Sequence, residues 1–370
     1  MHPLARLPEE WRATLAERHE RPYRAQQIFK WIHARGVLDP EQMTDVPAPL
    51  RTWLAGEGVA AAAATVETVF RSTDSTRKLL VRMTDGASVE TVLIPATVSR
   101  EDADTAVDLD DDAEEDPRVT QCISTQVGCA MGCIFCASGV AGLKRHLGAH
   151  EIVAQVFVGR AALDPGEELR NIVLMGMGEP LHNYDATARA LRLLTHPMGA
   201  HFSPRRITVS TSGLIPEIAR LGADFDGQIG LAVSLHAADD ETRSRLMPIN
   251  RKYPLAELLA ALKAYPLPKR RRIFIEYTLV SGKNDELSEA NKLARLLREV
   301  PVKINLIPMN PIEASPLGAP AMDRVYAFQQ RLIDEGYTCF VRKRRGDDVG
   351  AACGQLALLG AKPKVRVNRA

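Results

Sequence analysis

Four of the six cysteines fall within residues 122–136, and three of them form Cys129-Ala130-Met131-Gly132-Cys133-Ile134-Phe135-Cys136, a C-x3-C-x2-C run. Three thiolates on one tight loop suit three irons of a [4Fe–4S] cubane and leave the fourth iron open to another ligand. Gly128 and Gly132 give the loop the φ freedom to wrap a cluster, and Phe135 supplies an apolar shield. A zinc site completed by Cys122 is the rival reading. Structural zinc usually uses well-separated C-x2-C pairs, whereas the spacings here are x6, x3 and x2 with no second pair. Buried cysteines without a metal are the bland third reading.

Other chemistry-bearing residues sit where strands should end. Met175-Gly176-Met177-Gly178-Glu179-Pro180 lacks the third glycine of a dinucleotide-binding turn, because Leu181 stands there. Taken alone it is a glycine turn capped by an acid. Ser210-Thr211-Ser212-Gly213 and Ser234-Leu235-His236-Ala237 read as hydroxyl-rich turns, and Asn310 follows a sixth strand-like run. Cys353 lies in Ala351-Ala352-Cys353-Gly354, near the basic run Arg342–Arg345, a setting that favours thiol reactivity. Cys339 belongs to an apolar strand and reads as core, and Glu90 by itself reads as a strand-surface carboxylate.

These residues need a frame. From residue 118 the pattern alternates strands (119–127, 171–175, 206–210, 228–234, 272–280, 302–307, 338–342) with helices (150–162, 184–195, 215–221, 255–265, 286–300, 323–335). Repeated βα units predict a parallel sheet, with chemistry at the C-terminal strand ends. Upstream, Ala25, Ile28, Phe29 and Ile32 have helical spacing, and all three tryptophans lie within residues 1–55, which predicts a small helical domain with a core of its own. Residues 77–83 and 87–94 flank Asp85-Gly86, a hairpin signal. The expected domains are 1–55, a β extension over 56–117, a barrel over 118–345 and a C-terminal segment over 346–370.

Charge is unevenly spread. The chain of 370 residues is formally +1, but residues 101–116 hold ten acids and no base, so the remainder carries +11 and suits an anionic partner. The acidic stretch 96–117 is expected to be a mobile loop. No apolar run approaches the roughly 20 residues of a membrane span. The first residues, Met1-His2-Pro3-Leu4-Ala5-Arg6, contain no apolar signal region, and the sparse cysteines point to a reducing compartment. A cytoplasmic protein with no membrane contact is expected.

A C-x3-C-x2-C loop after the first strand of a βα-repeat chain resembles the radical S-adenosylmethionine (SAM) superfamily. Tyr23–Ile32, Val89-Glu90-Thr91-Val92-Leu93-Ile94-Pro95 and Arg344–Asp348 followed by Ala352–Leu356 extend the likeness nearly end to end, to the RlmN family of dual-specificity RNA methyltransferases. The resemblance implies a partial (β/α)6 barrel with an N-terminal small helical domain and a β-hairpin extension. It implies one 4Fe-4S cluster on Cys129, Cys133 and Cys136, and SAM bound by Gly178, Glu179, Ser210, Ser234, Leu235, His236 and Asn310. Two SAM molecules per turnover would methylate C2 of an adenosine in 23S rRNA and tRNA. Cys353 would carry the methyl group, Cys122 would resolve the adduct through a disulfide, and Glu90 would accept a proton. An external one-electron donor and a thiol reductant would complete the cycle of a monomeric enzyme. The phosphate contacts would fall to Arg21, Arg24, Lys30, Arg35, Lys144-Arg145, Arg205-Arg206, Lys269–Arg272 and the C-terminal tail. A Cfr-like adenine C8 methyltransferase and a non-enzymatic zinc-containing nucleic-acid-binding protein remain the alternatives. Anaerobic reconstitution with iron and sulfide separates the last from the others: a brown protein that cleaves SAM on reduction is expected, and a colourless zinc protein would contradict it.

Overall fold

A computed structural model describes residues 1–59, 63–96, 118–313 and 315–356. The acidic segment 101–116 and the tail cations beyond residue 356 lie outside the described residues.

Helices α1 (Pro8–Ala16), α2 (Tyr23–Phe29) and α3 (Ala48–Gly56) form the N-terminal region. Glu10 caps α1 by accepting from the Leu7 N–H at 2.8 Å, and α2 runs directly into a π-helical turn, Lys30–Ala34. Ala25, Ile28, Phe29 and Ile32 are all fully buried, as their spacing predicts. The separate core expected here is not found. Phe29 packs on His33 and His196, and His33 meets Phe157, so the helical core is continuous with that of the main body. Arg189 adds an ion pair to Glu10 at 2.8 Å.

Strands β1 (Ala64–Arg71), β2 (Arg77–Met83) and β3 (Ser88–Pro95) form an antiparallel meander that continues onto β4 (Arg118–Cys122). The hairpin expected from Asp85-Gly86 is present, and β1 makes the extension three-stranded. Sequence reading missed β1 because its start merges with an alanine-rich run. The expected strand 119–127 is two pieces. β4 ends at Cys122, and β5 (Gln126–Val127) pairs with β6 (Arg145–His146) in a separate ribbon that frames the cysteine loop. That loop also contains the short helix α4 (Ala137–Ala141).

Beyond it the βα alternation holds. Helix α5 (Ala149–Ala161) leads to β7 (Glu168–Leu174), α6 (Tyr184–Thr195) to β8 (Ile207–Thr211), and α7 (Ile215–Asp224) to β9 (Gly230–Ser234). Helices α8 (Asp240–Leu246) and α9 (Leu255–Ala264) precede β10 (Ile273–Leu279). Then come α10 (Leu287–Leu297), β11 (Val302–Pro308), α11 (Met322–Asp334) and β12 (Cys339–Val341). Polar α8 was not expected; its cap is Asp239, which accepts from Thr242 N at 2.8 Å. Strands β4, β7, β8, β9, β10, β11 and β12 pair in parallel, so a short seventh strand follows the six of the expected partial barrel. Every residue of β10 is buried, as befits a strand covered on both faces.

Two ties hold the extension to the barrel. Arg77, 1% exposed, pairs with Glu167 at 2.5 Å and Asp164 at 2.8 Å in the segment between α5 and β7. On the other side, Ser72 Oγ donates to Asp348 at 2.5 Å and Arg345 donates to the Pro95 carbonyl at 2.9 Å. Replacing Arg77 with Met would leave the largely buried Glu167 unpaired. It is expected to cost about 3–5 kcal/mol, read as a lower midpoint in denaturant unfolding.

Candidate functional site

The cysteine loop has its shape because two backbones touch. Gly128 has φ +76°, and a Cβ there would lie 1.8 Å from the Gly142 carbonyl oxygen. Cys129 N donates to that same oxygen at 3.2 Å, and Cys136 N donates to Cys133 O at 3.2 Å. The three side chains line one cavity at the C-terminal ends of the parallel strands. Burial pushes the Cys129 thiol up to about 12, and raises Cys133 and Cys136 as well. Their mutual repulsion as thiolates adds to the shift for Cys129 and Cys133. Three thiols in one cavity wall, two buried and one partly exposed, whose ionisation burial opposes, form a donor set that a cationic centre would stabilise, and that chemistry fits an iron–sulfur cluster. Cys122 is elsewhere: the charges that act on it are those of Cys353 and Arg342.

The same cavity collects most of the residues expected to hold SAM. Gly178, Glu179, Ser210, Ser234, His236 and Asn310 all line it; Leu235 does not. Leu235 is fully buried behind the wall, with its N–H on the Glu276 carbonyl at 3.0 Å. Gly178 has φ +104°, and a Cβ would press on the Gln126 side chain at 2.6 Å. The Glu179 carboxylate accepts from Ser212 N at 2.7 Å and Leu181 N at 3.1 Å. Burial raises its pKa, and those hydrogen bonds oppose the rise. His236 takes φ +57° and accepts from Thr278 N through Nδ1 at 2.8 Å, while its ring meets Phe135 edge-on at 4.7 Å. Burial, with Arg243 assisting, holds it down to about 3, so it is a neutral imidazole. Asn310 donates to the Cys353 carbonyl at 2.9 Å, and its buried Oδ1 has no partner among the described residues. An orphaned acceptor facing a cavity fits a ligand with N–H donors.

Residues 342–356 form a strap across the cavity mouth. Gly354 O accepts from Ala137 N at 2.8 Å, and Ser138 Oγ donates to Leu356 O. Cys353 therefore shares the cavity wall with Cys136, and its charge acts on both Cys136 and Cys122. Glu90 is not in the cavity wall. It lies in β3, 6% exposed, with its carboxylate 3.0 Å from Lys78. Val92 pairs with Cys122 across β3 and β4, and Glu90, two residues from Val92, emerges on the same face. Cys339 is core, as expected.

Sequence reasoning missed Arg243. It is fully buried and, among the described residues, donates to neutral oxygens: Leu235 O, Asn250 Oδ1, Ser212 O and Ser234 O, at 2.7–3.1 Å. It thus clamps the ends of β8 and β9, including Ser212, whose own N–H holds Glu179. Nothing in Asp240-Glu241-Thr242-Arg243 distinguishes this arginine from a solvated one. Gln126 was also missed; its Oε1 receives Glu179 N at 2.8 Å. Several cations expected on the surface are already engaged. Arg145 binds Glu151 and Asp85, Arg344 donates to Met309 O, and Arg345 to Pro95 O.

Burial pushes the Cys122 thiol up to about 12, with Cys353 adding to the rise and Arg342 opposing it. A raised thiol pKa means less thiolate. In the reduced, metal-free protein, alkylation of Cys122 near pH 8 is expected to run at least about tenfold slower than for an unperturbed thiol, the smaller thiolate fraction outweighing the greater nucleophilicity of each thiolate. Peptide mass spectrometry after timed iodoacetamide treatment would read this.

The radical SAM superfamily model matches residues 123–294, and the model for the ribosomal RNA large subunit methyltransferase N-terminal domain matches residues 8–59. A dual-specificity RNA methyltransferase RlmN from Sorangium cellulosum is 69% identical over 99% of this chain and 98% of its own. One from Geobacter sulfurreducens is 48% identical over 90% and 86%. A crystal structure of a radical SAM methyltransferase from Sphaerobacter thermophilus superposes with a TM-score of 0.86 at 44% identity, covering 96% of this chain and 99% of that one. End-to-end identity, joined to a thiol-lined cavity at the strand ends, establishes that the chain belongs to the RlmN family of dual-specificity RNA methyltransferases, within the radical SAM superfamily.

Proposed function

We infer that this chain methylates C2 of an adenosine in both 23S rRNA and tRNA, with Cys353 as the methyl carrier. The observation that carries the reading is the position of Cys353. The strap hydrogen bonds hold it against the cluster loop, within electrostatic reach of Cys122. Cys129, Cys133 and Cys136 would hold one 4Fe-4S cluster. Gly178, Glu179, Ser210, Ser234, His236 and Asn310 would hold SAM, with Leu235 contributing through its backbone. When bound, the cluster and SAM supply a 5′-deoxyadenosyl radical able to take hydrogen from a methyl group.

C2 of adenine is electrophilic, so a direct nucleophilic attack on a methyl donor does not serve it. Cys353 avoids the difficulty by first accepting a methyl group as a thiolate. Two SAM molecules per turnover would be needed, one to give its methyl group to the Cys353 sulfur and one to supply the radical that takes a hydrogen from that methyl group. The S-methylene carbon of Cys353 bonds to C2. Once the adduct radical has given up one electron, for which the oxidised cluster would be the acceptor, Glu90 takes the C2 proton and the C–H electron pair stays with the ring. The Cys122 thiolate then attacks the Cys353 sulfur, the electron pair of the S–C bond passes to the product carbon, which takes up a proton to become the methyl group, and an external thiol reductant reopens the disulfide. An external one-electron donor serves the cluster.

Residues 1–55 read as the RNA-binding domain and 56–117 as the extension carrying Glu90. Residues 118–345 read as the barrel and 346–370 as the carrier segment. The adenosine must be unpaired or flipped to reach the cavity. Among the described residues no helix is long and apolar enough to cross a membrane, and a monomer working in the cytoplasm, against a reducing thiol pool, suits the cycle.

Two measurements test this. RNA treated with reconstituted enzyme, SAM and a reductant should yield 2-methyladenosine from rRNA and from tRNA offered separately; 8-methyladenosine would overturn the regiochemistry. Cys122→Ala should accumulate a covalent protein–RNA adduct through Cys353. Normal turnover without an adduct would sink the scheme.

A further inference from the structure

We propose that Lys78 is a positioning residue for the proton-transfer step, holding the Glu90 carboxylate and the Cys353 strap in one arrangement. This deepens the proposed function, resting on its assignments of Glu90 and Cys353. Lys78 lies on β2, is 7% exposed, and pairs with Val92, which in turn pairs with Cys122 on β4. Lys78, Glu90 and Cys122 therefore emerge on one face of three adjacent strands. The Lys78 ammonium is 3.0 Å from Glu90 Oε1 and donates to the Gly350 carbonyl at 3.2 Å. Gly350 is three residues before Cys353. Ser124 Oγ donates to the Glu90 carbonyl at 2.6 Å and fixes the carboxylate's own backbone.

Stability does not account for this arrangement. A buried ion pair is often no better than an apolar pair of the same volume. An ammonium fastened to both segments does something an apolar pair cannot. It holds the carboxylate on the strand face that also carries Cys122, and it ties the strap that carries Cys353 to the same strand. In the step itself the C2–H bond breaks, the proton passes to the Glu90 carboxylate, and Lys78 keeps its own proton throughout. The same ammonium lies 5.3 Å from the Phe70 ring centroid, a contact that suits a permanent cation.

The test uses reconstituted full-length Lys78→Met, Lys78→Arg and Glu90→Gln, with tRNA bearing protium or deuterium at C2 of the target adenosine. Three quantities are read for each: cluster content, Cys353 methylation by intact mass, and the single-turnover rate of methyladenosine formation. Lys78→Met should keep its cluster and its methylated Cys353, slow product formation by about ten- to a hundredfold, and show a deuterium isotope effect larger than wild type. Lys78→Arg should recover most of the rate, because a guanidinium can reach the same two oxygens. The proposal falls if Lys78→Met keeps the wild-type rate and isotope effect. It also falls if cluster content or Cys353 methylation drops in proportion to the rate, which marks a structural role alone. Normal turnover by Glu90→Gln would instead remove Glu90 as the proton acceptor. A slow Glu90→Gln with an unaffected Lys78→Met would remove only Lys78.

Discussion

The backbone hydrogen bond between Ala137 and Gly354 joins the two ends of the site. Ala137 follows the last loop cysteine, and Gly354 follows Cys353. Separated by more than two hundred residues, these segments meet only because the parallel sheet stays open and the strap crosses its mouth. Asn310 at the end of β11 holds the Cys353 carbonyl from below, while Asp348, Arg345 and Gly350 bind the strap to the antiparallel extension. Each contact is modest alone, on the order of 1 kcal/mol. Together they keep a thiol within electrostatic reach of both Cys136 and Cys122.

The site concentrates ionisable groups that water does not reach. Glu179, Arg243, His236, Glu90, Lys78 and the thiols of Cys129 and Cys133 are all buried. Water elsewhere meets the cost of such charges; here peptide dipoles do. Glu179 leans on the Ser212 and Leu181 N–H groups, Arg243 on the carbonyls that close β8 and β9, and His236 stays neutral with Nδ1 accepting from Thr278. Fixed dipoles need no reorganisation when charge moves, an arrangement suited to radical and proton transfer. The scaffold beneath is ordinary: central strands buried on both faces and amphipathic helices packed against them.

The glycines at the site mark where backbones come too close for a side chain. Gly128 lies against Gly142 O, and Gly178 against Gln126. Both sit at positive φ, so a substitution meets strain as well as collision. The close approach at Gly128 fixes the neck of the cysteine loop, and that at Gly178 seats the turn before Glu179.

Spacing in the sequence was enough for the cysteine loop, the βα alternation, the Asp85-Gly86 hairpin and the buried face of α2, because each depends on residues close together along the chain. The strand-end motifs at Glu179, Ser210, Ser234, His236 and Asn310 could be located as turns, and only the resemblance joined them into one set. Strand β1 and helix α8 were missed because an alanine-rich entry and a polar helix carry little periodic signal. The ion pair of Glu90 with Lys78, the buried clamp of Arg243 and the place of Cys353 within electrostatic reach of two other cysteines belong to the tertiary structure alone. They depend on register across three strands, on carbonyls contributed by different strand ends, and on a strap that folds back. Chain spacing does not encode which distant backbone oxygen a buried cation will find, and the packed fold decides it.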